Sequence, residues 1–221
     1  MPYALTAGDF NRDGKQDFAV AFNTNDKVGI YLNLPGGFVN NIRMFATGNQ
    51  PIAIAAGDFN GDGTDDVAVA NYGSNNVTVV TGLNTITTIA VGSLPESLAV
   101  ANLNGDQSKD LIVGNAGTNF VSLLTATTGG QFTRQDVVGV ESPSAITATD
   151  FNGDGKVDVV VADYWVNRLT TYQGACAGAF TSEGAASELK TMRYVPRKYD
   201  GYPFTRTSKG RHAESQRSRS Q

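Results

Sequence analysis

The chain has 221 residues, enough to bury a sizeable core in one or two domains, and its 25 glycines and many asparagines speak against a helical protein. A single cysteine, Cys176, excludes an intramolecular disulfide, and the lack of any long apolar run excludes a transmembrane helix, so no membrane insertion is expected. The net charge of −4 hides two unlike parts: residues 1–181 carry 8 Lys+Arg against 17 Asp+Glu, whereas 182–221 carry 9 against 4, and a break that abrupt marks a domain boundary.

Met1 is followed at once by patterned sequence with no signal peptide, so the chain is expected to be either cytoplasmic or a piece of a longer one. A proline at 2, 51, 95 and 143 opens four successive units. After each comes a short alternating stretch, such as Ile52-Ala53-Ile54-Ala55-Ala56, and then a nine-residue loop that ends on aspartate. The loops are Asp9–Asp17, Asp58–Asp66, Asn102–Asp110 and Asp150–Asp158, spaced 49, 44 and 48 residues apart.

A second apolar run follows each loop, as in Val67-Ala68-Val69-Ala70, then a turn at 23–26, 72–76, 116–119 or 164–167, and then a third run such as Val77-Thr78-Val79-Val80. A Gly-containing turn with a phenylalanine comes next in three units, at Gly37-Phe38, at Gly130-Gln131-Phe132 and at Gly178-Ala179-Phe180; the second unit lacks it, which accounts for its shorter spacing. Fourth runs are read at 42–47, 86–91 and 136–140. Short β-branched runs bounded by turn formers predict strands, and four antiparallel strands per repeat of this length predict all-β architecture built from β-propeller blades. The blades are placed near 2–50, 51–94, 95–142 and 143–181. A β-solenoid is the rival architecture, but its repeats are shorter and need fewer hairpins. From 182 to 221 the pattern fails, and the basic, polar composition predicts a disordered tail, either genuine or the product of a shifted reading frame.

The loop pattern has a chemical meaning. Side-chain oxygens stand at positions 1, 3 and 5, a backbone carbonyl is available at position 7, and a carboxylate at position 9 can close the sphere. A hard cation asks for such a set, and Ca²⁺ fits it better than Zn²⁺, since the only histidine, His212, lies in the tail. The expected ligands are Asp9, Asn11, Asp13, Lys15 and Asp17; Asp58, Asn60, Asp62, Thr64 and Asp66; and Asp150, Asn152, Asp154, Lys156 and Asp158, with Lys15, Thr64 and Lys156 contributing backbone carbonyls. The third loop has Asn102 at its head, Asn104 and Asp106 inside, Gln107 where glycine belongs and Asp110 at its end, so a weak or absent site is expected there. Asp, Asn and Gly are also what any turn prefers, and a single copy would decide little; four copies in register favour the cation. Phe10, Phe59, Leu103 and Phe151, at loop position two, are expected to anchor each loop to its blade.

The run Gly57-Asp58-Phe59-Asn60-Gly61-Asp62-Gly63, closed by Asp66 and followed by a Val/Ala strand and Asn71-Tyr72-Gly73-Ser74-Asn75, resembles the FG-GAP/VCBS repeat of integrin α-chain propellers and of many secreted microbial proteins. The resemblance spans about residues 2–181. It implies a seven-bladed propeller, occasionally six or eight, with Ca²⁺ in the blade loops, outside the cell or at its surface. Four repeats make about half of such a ring. They are therefore expected to be part of a larger propeller or a half that pairs as a homodimer, with closure as a four-bladed ring the lesser alternative.

No nucleophile elbow, zinc motif or phosphate-cradling loop is present, and nearly every aspartate is accounted for by a cation loop, so no enzyme is expected. The function read from the sequence is a non-catalytic recognition or adhesion scaffold for carbohydrate or protein. The alternatives are a structural accessory segment of a larger secreted enzyme or surface protein and, remotely, a polysaccharide-cleaving enzyme. Tyr72, Tyr164 and Trp165 are the candidate ligand contacts, because aromatics beside amides and carboxylates stack on sugar rings; covering the blade turn is their plainer role. The tail's Lys and Arg are read as solvated, and no nucleic-acid partner is expected.

Overall fold

The computed structural model describes residues 1–35, 37, 42–127 and 129–174. Within them the chain forms fifteen strands and no helix. The first sheet is β1 (Pro2–Gly8), β2 (Asp17–Phe22), β3 (Lys27–Tyr31) and β4 (Ile42–Ala46), and the second β5 (Pro51–Gly57), β6 (Asp66–Asn71), β7 (Asn76–Thr81) and β8 (Thr85–Ala90). The third is β9 (Pro95–Ala101), β10 (Asp110–Asn115), β11 (Phe120–Thr127) and β12 (Gln131–Val138), and the last β13 (Pro143–Thr149), β14 (Asp158–Asp163) and β15 (Arg168–Tyr172). Each sheet pairs its strands antiparallel in sequence order, as a meander. This is the blade predicted from the repeat. Gly178-Ala179-Phe180, the tail, Cys176 and Phe38 lie outside the described residues.

Turn chemistry sets the strand limits. The nine-residue loops always join a blade's first strand to its second. In the second sheet, β7 and β8 are joined by Gly82, Leu83 and Asn84, a turn in which Gly82 (φ +55°) and Leu83 (φ +59°) are both left-handed and Asn84 N–H donates to Thr81 C=O at 3.2 Å. That is the hairpin turn whose twist matches paired strands, and it explains why this repeat needs no longer connection. In the third sheet β12 begins at Gln131, five residues before the predicted Asp136. Gly129 and Gly130 take φ of +82° and +74° and turn the chain at once, so β12 pairs β11 along its full length, from Gln131 against Thr127 to Val138 against Phe120.

The blades stack face to face, and the core lies between them in three layers. Between blades one and two, Phe10, Ala19, Ala21, Val28 and Ile30 meet Val67, Val69 and Val80, with Ile54 and Ala56 at the margin. Between two and three, Phe59, Ala68, Val77 and Val79 meet Leu111, Val113 and Leu124. Between three and four, Ala101, Ile112, Val121 and Leu123 meet Val159, Val161 and Tyr172. The middle strands β6 and β10 are buried at every residue, because a blade covers each of their faces. In β2 burial alternates, since one of its faces has no neighbouring blade.

First strands pack on first strands in the order β1, β5, β9, β13. The two ends remain apart: Tyr3 and Leu5 on the first blade and Phe151 and Leu169 on the fourth are exposed. Among the described residues the blades therefore form an open arc.

Candidate metal centres

Each loop is wound by its own side chains. In the second, Asp58 Oδ1 accepts N–H groups of Gly61 (2.7 Å) and Asp62 (3.1 Å), while Oδ2 accepts that of Gly63 (2.8 Å). Asn60 Oδ1 accepts Asp62 N–H at 2.9 Å, and Asp62 Oδ1 accepts Thr64 N–H at 2.8 Å. The amide of Asn60 donates to Asp62 Oδ2 at 2.9 Å. The fourth loop repeats every one of these bonds with Asp150, Asn152, Asp154 and Lys156. The first loop repeats them with Asp9, Asn11, Asp13 and Lys15, except the bond from position four. The sequence permits this winding because position six is glycine in all three, at φ of +79°, +81° and +83°, where a side chain would be strained.

The structure thus gathers positions one, three and five on the exposed side of each loop: two carboxylates and an amide. Among the described residues no three acidic, histidine or cysteine side chains converge as a coordination set. The ninth-position aspartate lies deeper. Asp66 is 1% exposed; its Oδ2 accepts Phe59 N–H at 3.0 Å and its Oδ1 accepts Gly82 N–H, beyond the end of β7, at 3.1 Å. Asp17 holds Phe10 and Asn33 in the same way, Asp110 holds Leu103 and Ala126, and Asp158 holds Phe151 and Gly174. This residue ties the loop's second position to the exit of the third strand, a role that spacing alone does not reveal. Each oxygen keeps a further lone pair, so the clamp and a cation contact are chemically compatible.

Electrostatics at the second loop follow from this burial. Desolvation pushes the Asp66 carboxyl up to about 7, with the charges of Asp62 and Asp58 adding to it and the N–H donors of Gly82 and Phe59 opposing it. Burial also raises Asp110. Asp62 goes the other way: desolvation is the largest single effect and raises it, but the Asn60 amide, Thr64 and the Arg12 guanidinium together outweigh it. Asp150, exposed at the head of its loop, is lowered first by the Gly155 N–H. An all-oxygen set of two carboxylates and an amide at the exposed side of the loop has the chemistry of a hard-cation site.

The third loop differs where the sequence does. With Gln107 at position six, the bond from that N–H to the first residue is missing from the described set, and the Asn102 amide donates inward to Asp106 C=O. Asn104 and Asp106 keep their mutual bonds, and the Asp110 clamp is intact. The clamp is thus independent of the aspartate at the head of the loop and of the glycine at position six.

Two residues that tie neighbouring loops together carry no signal in the spacing. Asp65, at position eight, exchanges bonds with Asp9: its N–H donates to Asp9 C=O at 3.1 Å, and its Oδ2 accepts Asp9 N–H at 2.9 Å. Arg12 reaches from the first loop to donate to Asp62 C=O at 3.1 Å. Position eight is Gln16, Asp65, Lys109 or Val157 in the four loops, so no repeat pattern marks it.

Phe10 and Phe59 are buried between blades, so they plug an interface with the next blade; Phe151, at the open end, is 54% exposed. Tyr164 and Trp165 meet edge to face with centroids 5.2 Å apart, and both project into solvent. Tyr72, half-buried at the matching turn of the second blade, is a blade removed from them, and the three make no common surface.

A meander of four-stranded blades stacked into a curved array is the β-propeller class. The FG-GAP-like repeat matches residues 9–69, 58–113 and 102–161, and the chain belongs to that family. No curated protein matches it. Solved structures with the same fold include BBS1N in complex with ARL6DN (TM-score 0.59, 14% identity, 80% of this chain and 54% of that one) and a catalytically inactive virginiamycin B lyase from Staphylococcus aureus with quinupristin (0.54, 18%, 78% and 52%). Hydrazine synthase of Kuenenia stuttgartiensis is a third (0.55, 17%, 77% and 45%). The chain spans about half the length of these structures.

Proposed function

We propose that this chain is a calcium-stabilised propeller segment acting as a non-catalytic recognition or adhesion scaffold outside the cell or at its surface. The observation that carries the reading is the shared winding of loops one, two and four around two carboxylates and an amide, next to a third loop that has Asn102 in place of the head carboxylate and departs from the winding. Asp9, Asn11 and Asp13, with their counterparts Asp58, Asn60, Asp62 and Asp150, Asn152, Asp154, would hold the ion. A bound Ca²⁺ would supply positive charge that offsets the carboxylates and stiffens the loop. The ninth-position aspartates keep the loop registered on its blade, and the Arg12 and Asp65 bridges pass that rigidity from the first loop to the second. The Tyr164–Trp165 pair is the best-placed contact for a sugar ring or an apolar protein side chain.

A melting experiment tests the cation. About 1 mM Ca²⁺ should raise Tm relative to EDTA, because a ligand that binds only the native state stabilises it by mass action. An unchanged melt would end this reading. Asp58→Ala should reduce the gain, and Asn104→Ala in the third loop should leave it as it was. For the ligand, a glycan array probed with the protein and with Trp165→Ala should show binding that the substitution removes; an empty array would leave a structural accessory role.

A further inference from the structure

The fourth position of the nine-residue loop is glycine in loops two, three and four and arginine in loop one. All four residues are left-handed: Gly61, Gly105 and Gly153 at φ of +77°, +79° and +79°, and Arg12 at +59°. A side chain is disfavoured in that conformation, so the loop asks for glycine and Arg12 sits there under strain. Its guanidinium crosses the seam between blades one and two. Nη1 donates to Asp62 C=O at 3.1 Å, and a Cβ added to Gly63 would stand 3.4 Å from Nη2. The seam is already held in register by Asp65, whose N–H and Oδ2 bond the backbone of Asp9. At the next seam the backbone bond recurs, from Lys109 N–H to Asp58 C=O, but position four is Gly61, which has no side chain to reach across. Loops one and four carry a lysine at position seven, and Lys15 Nζ lies 3.9 Å from Asp13 Oδ2; loop two has Thr64 there and no basic residue of its own. Arg12 brings it one from the neighbouring blade.

From this we propose that Arg12 is a tethered counter-charge for loop two, a residue of one blade that weakens the hold of the next blade's loop on Ca²⁺. The inference rests on the calcium reading of the loops and adds to it an affinity-setting residue outside the donor set. A guanidinium keeps its charge at any physiological pH, and the bond to Asp62 C=O fixes it beside the carboxylate at position five. It takes none of the donors. Asp62 Oδ1 and Oδ2 accept Thr64 N–H and the Asn60 amide, and Asp58 accepts the N–H groups of its own loop. A cation entering loop two therefore meets open oxygens together with a fixed positive charge. Repulsion of a divalent ion at that range, in the dielectric of a protein surface and partly screened by salt, amounts to about a three- to tenfold loss of affinity. Lys15 is unlike it, because its side chain is half exposed and solvent screens such a pair. Since Asp65 already sets the register, the seam by itself does not call for a strained arginine.

A Ca²⁺ titration of the full chain, followed by NMR at two backbone amides, reads the loops separately. Gly63 N–H donates to Asp58 Oδ2 and Gly155 N–H to Asp150 Oδ2, each at 2.8 Å, so each amide reports on its own loop. Arg12→Gln should lower the half-saturating Ca²⁺ at Gly63 by about three- to tenfold and leave that at Gly155 unchanged. Arg12→Lys, which keeps the charge, should stay near the wild-type value, and the difference between wild type and Arg12→Gln should shrink in about 0.5 M KCl. Arg12 is exposed, and the amide spectrum itself shows whether the fold is retained. If Arg12→Gln misfolds, Arg12→Gly removes the same charge and suits the left-handed position. A Gly63 midpoint that is unchanged or raised in Arg12→Gln overturns the proposal and leaves Arg12 a strut between blades. An equal shift at Gly155 also overturns it, since the effect is then global. If neither glycine responds in the wild-type chain, this inference and the calcium reading fall together, whereas two responsive loops indifferent to Arg12 remove this inference alone.

Discussion

The residue that matters most to each loop is its last. Asp66 and its counterparts are buried carboxylates whose two oxygens each take a backbone N–H, so removing one leaves two buried donors unpaired, at a cost of about 2–5 kcal/mol. Asp110→Ala and Asp66→Ala should therefore lower the urea midpoint by similar amounts in EDTA, although the third loop begins with Asn102 where the second has Asp58; a negligible effect of Asp110→Ala would show the clamp to be incidental. Burial also gives Asp66 a pH signature. Its folded-state carboxyl stands at about 7, above the ordinary value of 3.8, so the folded state holds a proton that the unfolded state releases first. The stability contributed by this group is full below about pH 4 and is lost as the pH rises towards 7. In cation-free buffer stability should fall across that window, and Asp66→Asn, destabilised overall, should lose that part of the slope. A slope unchanged by the substitution would assign it to other groups.

At the scale of the blade, the same sequence element has different consequences at different places in the stack. Phe59 is fully buried, and its ring lies 6.1 Å from that of Phe132 on the next blade. Phe59→Ala should cost about 3–5 kcal/mol through the cavity it leaves. Phe151→Ala changes the equivalent residue of an uncovered blade face and should cost under about 1 kcal/mol in the monomer. Chemical denaturation of the two variants at low protein concentration compares them directly; equal losses would mean that Phe151 is covered in solution. The strands and their order were legible because β-branched runs, prolines and glycine turns recur at fixed offsets. The start of β12 was not, because two consecutive left-handed glycines shorten a connection that composition alone made to look longer.

Across the whole molecule, protection should follow burial on both faces. Amides of β6 and β10, covered by blades on either side, should exchange only with global unfolding, while those of β1 and β15 at the two ends should exchange sooner. Uniform protection along the arc would contradict an open-ended stack. Stability then rises with each joint made, as in other repeat architectures.

By itself the sequence determined the repeat, the all-β blade and the family, because each is written in local spacing: oxygens at alternate positions, a glycine where φ must be positive, apolar runs of strand length. The third loop's departure was equally legible in Asn102 and Gln107. Only the tertiary structure showed the ninth aspartate clamping three segments, the Asp65 and Arg12 bridges between loops, and the separation of Tyr72 from Tyr164 and Trp165. It alone distinguished Phe10 and Phe59, sealed between blades, from Phe151 at an open end. The physical reason is that a residue's burial depends on whether another blade lies against it, and a nine-residue pattern repeats identically whether or not a neighbour is there.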